Sequence, residues 1–173
     1  MKVNAKYVNP FIEAAMKVVS QITGIEVRRG HLSYKAKVEP SHGVSIIIGI
    51  FGFLVGQVVY SMDNVLAERL VDRLLGDRSP QEKKIMFMDA LGELANMITG
   101  NATALLNTRK DYALKITTPA IATGENLSIN LVPKPALVLG LYTQYGPIEI
   151  SIALEEQETL SEIDALDSVL TEI

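Results

Sequence analysis

Phe11, Ala15, Val18, Val19 and Ile22 fall on one face at helical spacing, which predicts an amphipathic helix near the start of the chain. Asn9 can cap it, Pro10 suits its first position, and Gly24 marks its end. From Ile25 to Tyr60 the pattern becomes extended: a strand within Ile25–Glu39, then an apolar hairpin turning near Phe51-Gly52. The 23 residues between Glu39 and Asp63 carry no acid or basic Lys/Arg, and a membrane-spanning helix needs about 20 apolar residues. Gly49, Gly52 and Gly56, set among the β-branched runs Ile46–Ile48 and Val58-Val59, favour a hairpin buried on both faces instead.

Asp63 is placed to cap a short helix with Leu66, Leu70 and Leu74 along one side, ending at Gly76. Ser79-Pro80-Gln81-Glu82 is a capping box with proline at the first helical position, and the helix it opens is expected to run to about Asn107. Strands are predicted over Tyr112–Thr117, Ile129–Val132, Ala136–Tyr145 and Ile148–Leu154, punctuated by Pro119, Gly124-Glu125-Asn126, Pro133, Pro135 and Gly146-Pro147. Residues 155–173 read as an amphipathic helix, with Leu160, Ile163, Leu166 (or Leu170) and Ile173 facing one way. Helices and strands do not alternate regularly. The fold class expected is therefore α+β: a single domain over residues 1–154, with a mostly antiparallel sheet of about six strands and a pair of helices including one long one, followed by an acidic helical tail over 155–173.

The long helix carries the candidate chemistry. At 100° per residue, Phe87, Leu91, Leu94, Ile98 and Leu105 form the stripe expected to be buried. Glu82, Asp89, Glu93, Asn96, Gly100 and Asn107 lie nearly opposite, with Glu93 and Asn96 side by side one turn apart. A polar face is ordinarily just solvated. Two features argue for more. Asn is a poor residue inside a helix, because its side chain competes for backbone hydrogen bonds. Gly100 costs the helix about 1 kcal/mol relative to alanine, as if another surface had to come close there. A carboxylate and an amide offer neither a nucleophile nor a metal cage. An amide can, however, accept from a water while donating to a phosphoryl oxygen, as a glutamine does in signalling GTPases. The pair suits insertion into a partner's active site.

Composition narrows the alternatives. The chain has 173 residues, 48% hydrophobic, with no cysteine and no tryptophan. Thiol catalysis, thiolate metal sites and disulfide scaffolds are excluded. The two histidines, His31 and His42, read as surface residues rather than ligands. The net charge of −4 divides unevenly: residues 155–173 hold seven of the 20 acids and no base, which leaves 13 acids and 16 bases, net +3, in the rest. Nucleic acid is not the default partner of such a chain. The start MKVNAKYVNP has no apolar core of a secretory signal, so a cytoplasmic location is expected.

The run Gly92-Glu93-Leu94-Ala95-Asn96-Met97-Ile98-Thr99-Gly100-Asn101 resembles the signature helix of the CheC/CheX/FliY phosphatases of bacterial chemotaxis, Glu-x-x-Asn followed by Gly-Asn. Ile116-Thr117-Thr118-Pro119 with Gly124 looks like that family's strand–Pro–strand–Gly segment, and Gly49–Tyr60 like its glycine-marked hairpin. The resemblance covers about residues 5–154. In the first helix the matching place reads Glu13-Ala14-Ala15-Met16, with methionine where an amide would complete a second site. The chain therefore looks CheX-like, with one site. The resemblance implies hydrolysis of the aspartyl-phosphate on a CheY-like response-regulator receiver, Asn96 orienting the water and Glu93 pairing with a receiver lysine. It implies no cofactor of the chain's own, Mg²⁺ supplied by the receiver, and a homodimer. Gly100 and Asn101 are expected to serve packing and local hydrogen bonding. The rival reading is a non-catalytic receiver-binding or flagellar-switch-type module of the same fold.

Overall fold

The apolar hairpin is the middle of the sheet. In the computed structural model, which describes residues 5–35, 43–109, 112–124, 127, 129–132 and 135–157, it forms β2 (Val44–Phe51) and β3 (Leu54–Met62). Their partners are β1 (Arg28–Lys35), β4 (Lys115–Ile116), β5 (Ala120–Thr123), β6 (Ala136–Thr143) and β7 (Gly146–Glu156). The order across the sheet is β1-β6-β7-β3-β2-β4, with β5 also on β2, and every pairing is antiparallel. The α+β expectation holds. Among the described residues seven strands stand where about six were expected, β5 having been anticipated only through the family resemblance.

Burial on both faces explains the uninterrupted apolar runs. Ile46, Ile48 and Ile50 join Val58, Tyr60, Ile150, Ile152, Leu137 and Leu139 in the main core beneath the helices. Val59, Ala153, Ala136 and Val138 face the other way and are covered with Leu131. Residues 129–132 are not the strand expected there. Ile129 makes an isolated bridge, and Leu131 is spent on covering that second face. Gly56 has φ +151°, and any Cβ there would collide with the Ala153 carbonyl oxygen of β7, so the centre of the sheet requires glycine.

Among the described residues there are four helices, α1 (Ala5–Thr23), α2 (Asn64–Leu75), α3 (Pro80–Ile85) and α4 (Phe87–Arg109), of which α1, α2 and α4 pack on the main core. Asp63 caps α2 by accepting the Leu66 amide at 2.7 Å, and Gly76 closes it, as predicted. The cap expected at Asn9 is not used. Helix α1 starts a turn earlier and holds Pro10 in its interior, because Tyr7 and Val8 are buried and extend the apolar face toward the N-terminus. Pro10 then forgoes one backbone bond in the helix. The Tyr7 hydroxyl also donates to Glu156 at the end of β7. Burial, then the adjacent carboxylate, pushes that hydroxyl above its ordinary pKa. Strand β7 thus continues past the boundary expected at Leu154: Glu155 and Glu156 are strand. The remainder of the expected acidic helix, from residue 158, lies outside the described residues.

Candidate functional site

The long helix expected from Ser79 is interrupted. The capping box is present, with Ser79 accepting the Glu82 amide while its own amide donates to the Glu82 carboxylate at 2.9 Å. Met86 then adopts φ −89° and ψ 3°, which separates α3 from α4. The chain nevertheless keeps bonding through the break, with the Met86 amide on Glu82 and the Ala90 amide on the Met86 carbonyl.

Helix α4 is packed along one side against the core. Leu91, Leu94, Ala95, Ile98, Ala102 and Leu106 are buried, and Leu106 takes the place expected for Leu105, which is 41% exposed. Phe87 is half-buried. The small residues widen the buried face, so the apolar sector drifts toward Leu106 over the length of the helix. Thr99 is fully buried, donates to the Ala95 carbonyl at 2.8 Å, and lies 2.9 Å from the Tyr60 hydroxyl of β3. The Thr99 hydroxyl has one proton, already given to Ala95, so Tyr60 is the donor between them. Burial raises the Tyr60 pKa well above its ordinary value, and the hydroxyl stays protonated. Asn107, expected on the candidate face, is instead structural: its amide group brackets Leu114, accepting from its N–H at 2.9 Å and donating to its carbonyl at 3.3 Å.

On the opposite side of α4 lies an open groove of about 710 Å³, lined by Met88, Asp89, Gly92, Glu93 and Asn96 from the helix and by Ile116–Pro119 and Ile121 from β4, β5 and their link. Glu93 is exposed and Asn96 half-exposed, one turn apart on the helical lip. The far wall is a β-bulge. Ile50 pairs with Ile116 and Ile47 with Ala120, so three residues, 117–119, face only two, Ile48 and Gly49. Asn101 serves local hydrogen bonding as expected, donating to the Met97 carbonyl at 2.7 Å. Gly100 is not packed against anything: a Cβ there would meet no atom within 4 Å.

A second depression, about 690 Å³ between α2 and the α3–α4 junction, contains neither Glu93 nor Asn96. In α1, Glu13 is exposed and Met16 is half-buried against the core; neither lines these grooves. His31 is exposed on β1, and His42 lies outside the described residues. Among the described residues no three His, Asp or Glu side chains gather as a metal site, and no helix is long and apolar enough to cross a membrane. Sequence reasoning missed the groove's far wall as part of the site. The Pro119 punctuation was its visible signal, but the one-residue excess over β2 emerges only from the register.

The chain is similar to several known proteins. The family model described as chemotaxis phosphatase CheX matches residues 44–141. The CheY-P phosphatase CheX of Thermotoga maritima is 28% identical over 126 residues, 73% of this chain and 81% of that protein. The crystal structure of a chemotaxis protein CheX from Desulfovibrio desulfuricans superposes with a TM-score of 0.77 at 28% identity, covering 87% of this chain and 99% of that one. A CheX–CheY–BeF3–Mg²⁺ complex from Borrelia burgdorferi matches with a TM-score of 0.72 at 30% identity, covering 87% of this chain and 98% of that one.

Proposed function

The chain belongs to the CheX family, and we propose that it hydrolyses the aspartyl-phosphate of a phosphorylated CheY-like receiver domain through Asn96 and Glu93. The observation that carries this reading is the placement of an amide and a carboxylate one turn apart on the open lip of the α4 groove, on a helix buried along its other side. In the reaction, water oxygen attacks phosphorus in line with the bond to the receiver's aspartate. That bond breaks, its electron pair leaves with the aspartate carboxylate, and the water's proton is released with inorganic phosphate.

Asn96 contributes orientation: its Oδ1 accepts from the water while its Nδ2 donates to a phosphoryl oxygen. Glu93 pairs with a lysine of the receiver and fixes the approach. In this reading the Mg²⁺ of the reaction is supplied by the receiver, and the chain brings no cofactor of its own. The reading includes a homodimer in the cytoplasm, and sedimentation equilibrium checks the dimer.

The test follows phosphate loss from candidate CheY-type receivers with and without the chain, using wild type and Glu93→Ala. Accelerated loss that weakens in Glu93→Ala, with an increased KM, supports the reading. Receiver binding without acceleration by the wild type supports the non-catalytic interaction module instead.

A further inference from the structure

We propose that Thr117 is a positioning residue, whose paired hydrogen bonds to Gly49 hold the bulged wall of the groove at the height where a bound phosphoryl group meets Asn96. The proposal rests on the phosphatase reading of that groove and assigns a part of it outside the Glu-x-x-Asn helix.

The register requires some device at this point. Strands β4 and β5 are one edge segment that pairs with β2 on either side of the bulge, and in between the ladder is one residue out of step. Pro119 has no N–H to give. The gap is closed by Thr117 alone among the bulge residues. Its amide donates to the Gly49 carbonyl at 3.0 Å, and its hydroxyl accepts the Gly49 amide at 2.9 Å, in place of a backbone carbonyl. The same hydroxyl donates onward to the Thr118 carbonyl at 3.0 Å, which fixes the next peptide of the wall.

Gly49 fits the arrangement from the other side. A Cβ there would stand 2.8 Å from the Thr117 Cγ2, so any larger residue forces the Thr117 side chain to turn out of its bonds to Gly49 or the wall to shift. Gly92 of α4 lies against the same wall: a Cβ at that position would stand 3.7 Å from both Pro119 and Ile121, in ordinary van der Waals contact. Ile116 and Ile121 pack against the core on either side of the bulge, and between them the latch to β2 holds residues 117–119, with a bare backbone facing them from α4. A misplacement of about 1 Å costs orientation-dependent catalysis up to about a hundredfold, while binding spread over a wider surface changes little. The latch therefore acts on kcat.

The experiment measures kcat and KM separately, with a CheY-type receiver phosphorylated by acetyl phosphate, for wild type, Thr117→Val, Thr117→Ser and Gly49→Ala. Thr117→Val keeps the methyl shape and loses the hydroxyl; it is expected to lower kcat about tenfold with KM within about twofold. Its Tm should move by about 3 °C at most, as for one solvent-facing hydrogen bond. Thr117→Ser restores the hydroxyl and should recover kcat to within about twofold, and Gly49→Ala should reproduce the loss. Full kcat in Thr117→Val or in Gly49→Ala overturns the proposal, as does Thr117→Ser remaining as slow as Thr117→Val. A wild type that does not shorten the phosphoryl lifetime of any receiver overturns the phosphatase reading, and this proposal with it.

Discussion

Gly100 lies inside α4, one turn beyond Asn96 on the same face, and the space where its Cβ would stand is empty to 4 Å. Its backbone is helical, so alanine enters without strain. Gly100→Ala should then stabilise the fold by about 1 kcal/mol, the helix-interior difference between the two residues. Unfolding entropy of about 2.1 cal/mol/K per residue over this chain converts that into a Tm rise of about 3 °C. The same methyl group projects toward any receiver seated on Asn96. Holding the phosphoryl group back by a fraction of a methyl diameter should lower kcat/KM at least about tenfold. Thermal unfolding followed by circular dichroism gives the first quantity, and phosphate release from a phosphorylated receiver gives the second. A lowered Tm would refute the placement of Gly100 in open helical surface. A raised Tm with unchanged kcat/KM would refute the close approach of a partner.

The buried pair of Tyr60 and Thr99 predicts an asymmetry. Tyr60→Phe removes one hydrogen bond and strands nothing, because Thr99 still donates to Ala95; it should cost about 1 kcal/mol in urea unfolding. Thr99→Val leaves the Tyr60 hydroxyl buried without its acceptor and should cost more, up to about 3 kcal/mol; equal costs would contradict the donor assignment. At the start of α3, hydrogen bonds from the Ser79 hydroxyl and amide hold the Glu82 carboxyl below its ordinary value of 4.5. A depressed folded pKa contributes stability that is complete above the ordinary value and is lost as pH falls through the folded one. The Tm difference between wild type and Glu82→Ala should therefore be constant from neutral pH down to about pH 5 and shrink below it. A difference that grows on acidification would contradict the capping box.

Where local chemistry decided the structure, the sequence was sufficient. Asp63 before Leu66 and Ser79 before Glu82 each satisfy helix amides over three residues, with no help from the rest of the fold. Glycines among β-branched runs likewise sufficed for the central hairpin. Tertiary burial decided the rest. Tyr7 and Val8 pull α1 back past Pro10, and Leu131 leaves no strand over 129–132 because it covers the outer face of the sheet. Period counting placed Glu93 and Asn96 together because three residues of helix suffice to do so. It erred at Leu105, where small angular errors had accumulated along the helix, and it gave no warning of the break at Met86. The bulge opposite the pair was invisible, because register is a relation between Gly49 and Thr117, 68 residues apart.

The central claim is that Asn96 orients the attacking water, and single-turnover phosphate release with Asn96→Ala tests it most directly. The side chain is half-exposed and alanine is the better helix former, so the variant should be at least as stable as wild type. Its rate on a saturating phosphorylated receiver is predicted to fall on the order of a hundredfold, comparable to the loss of one preorganised donor in other enzymes. An Asn96→Ala chain that strips phosphate from the receiver at the wild-type rate would contradict the account.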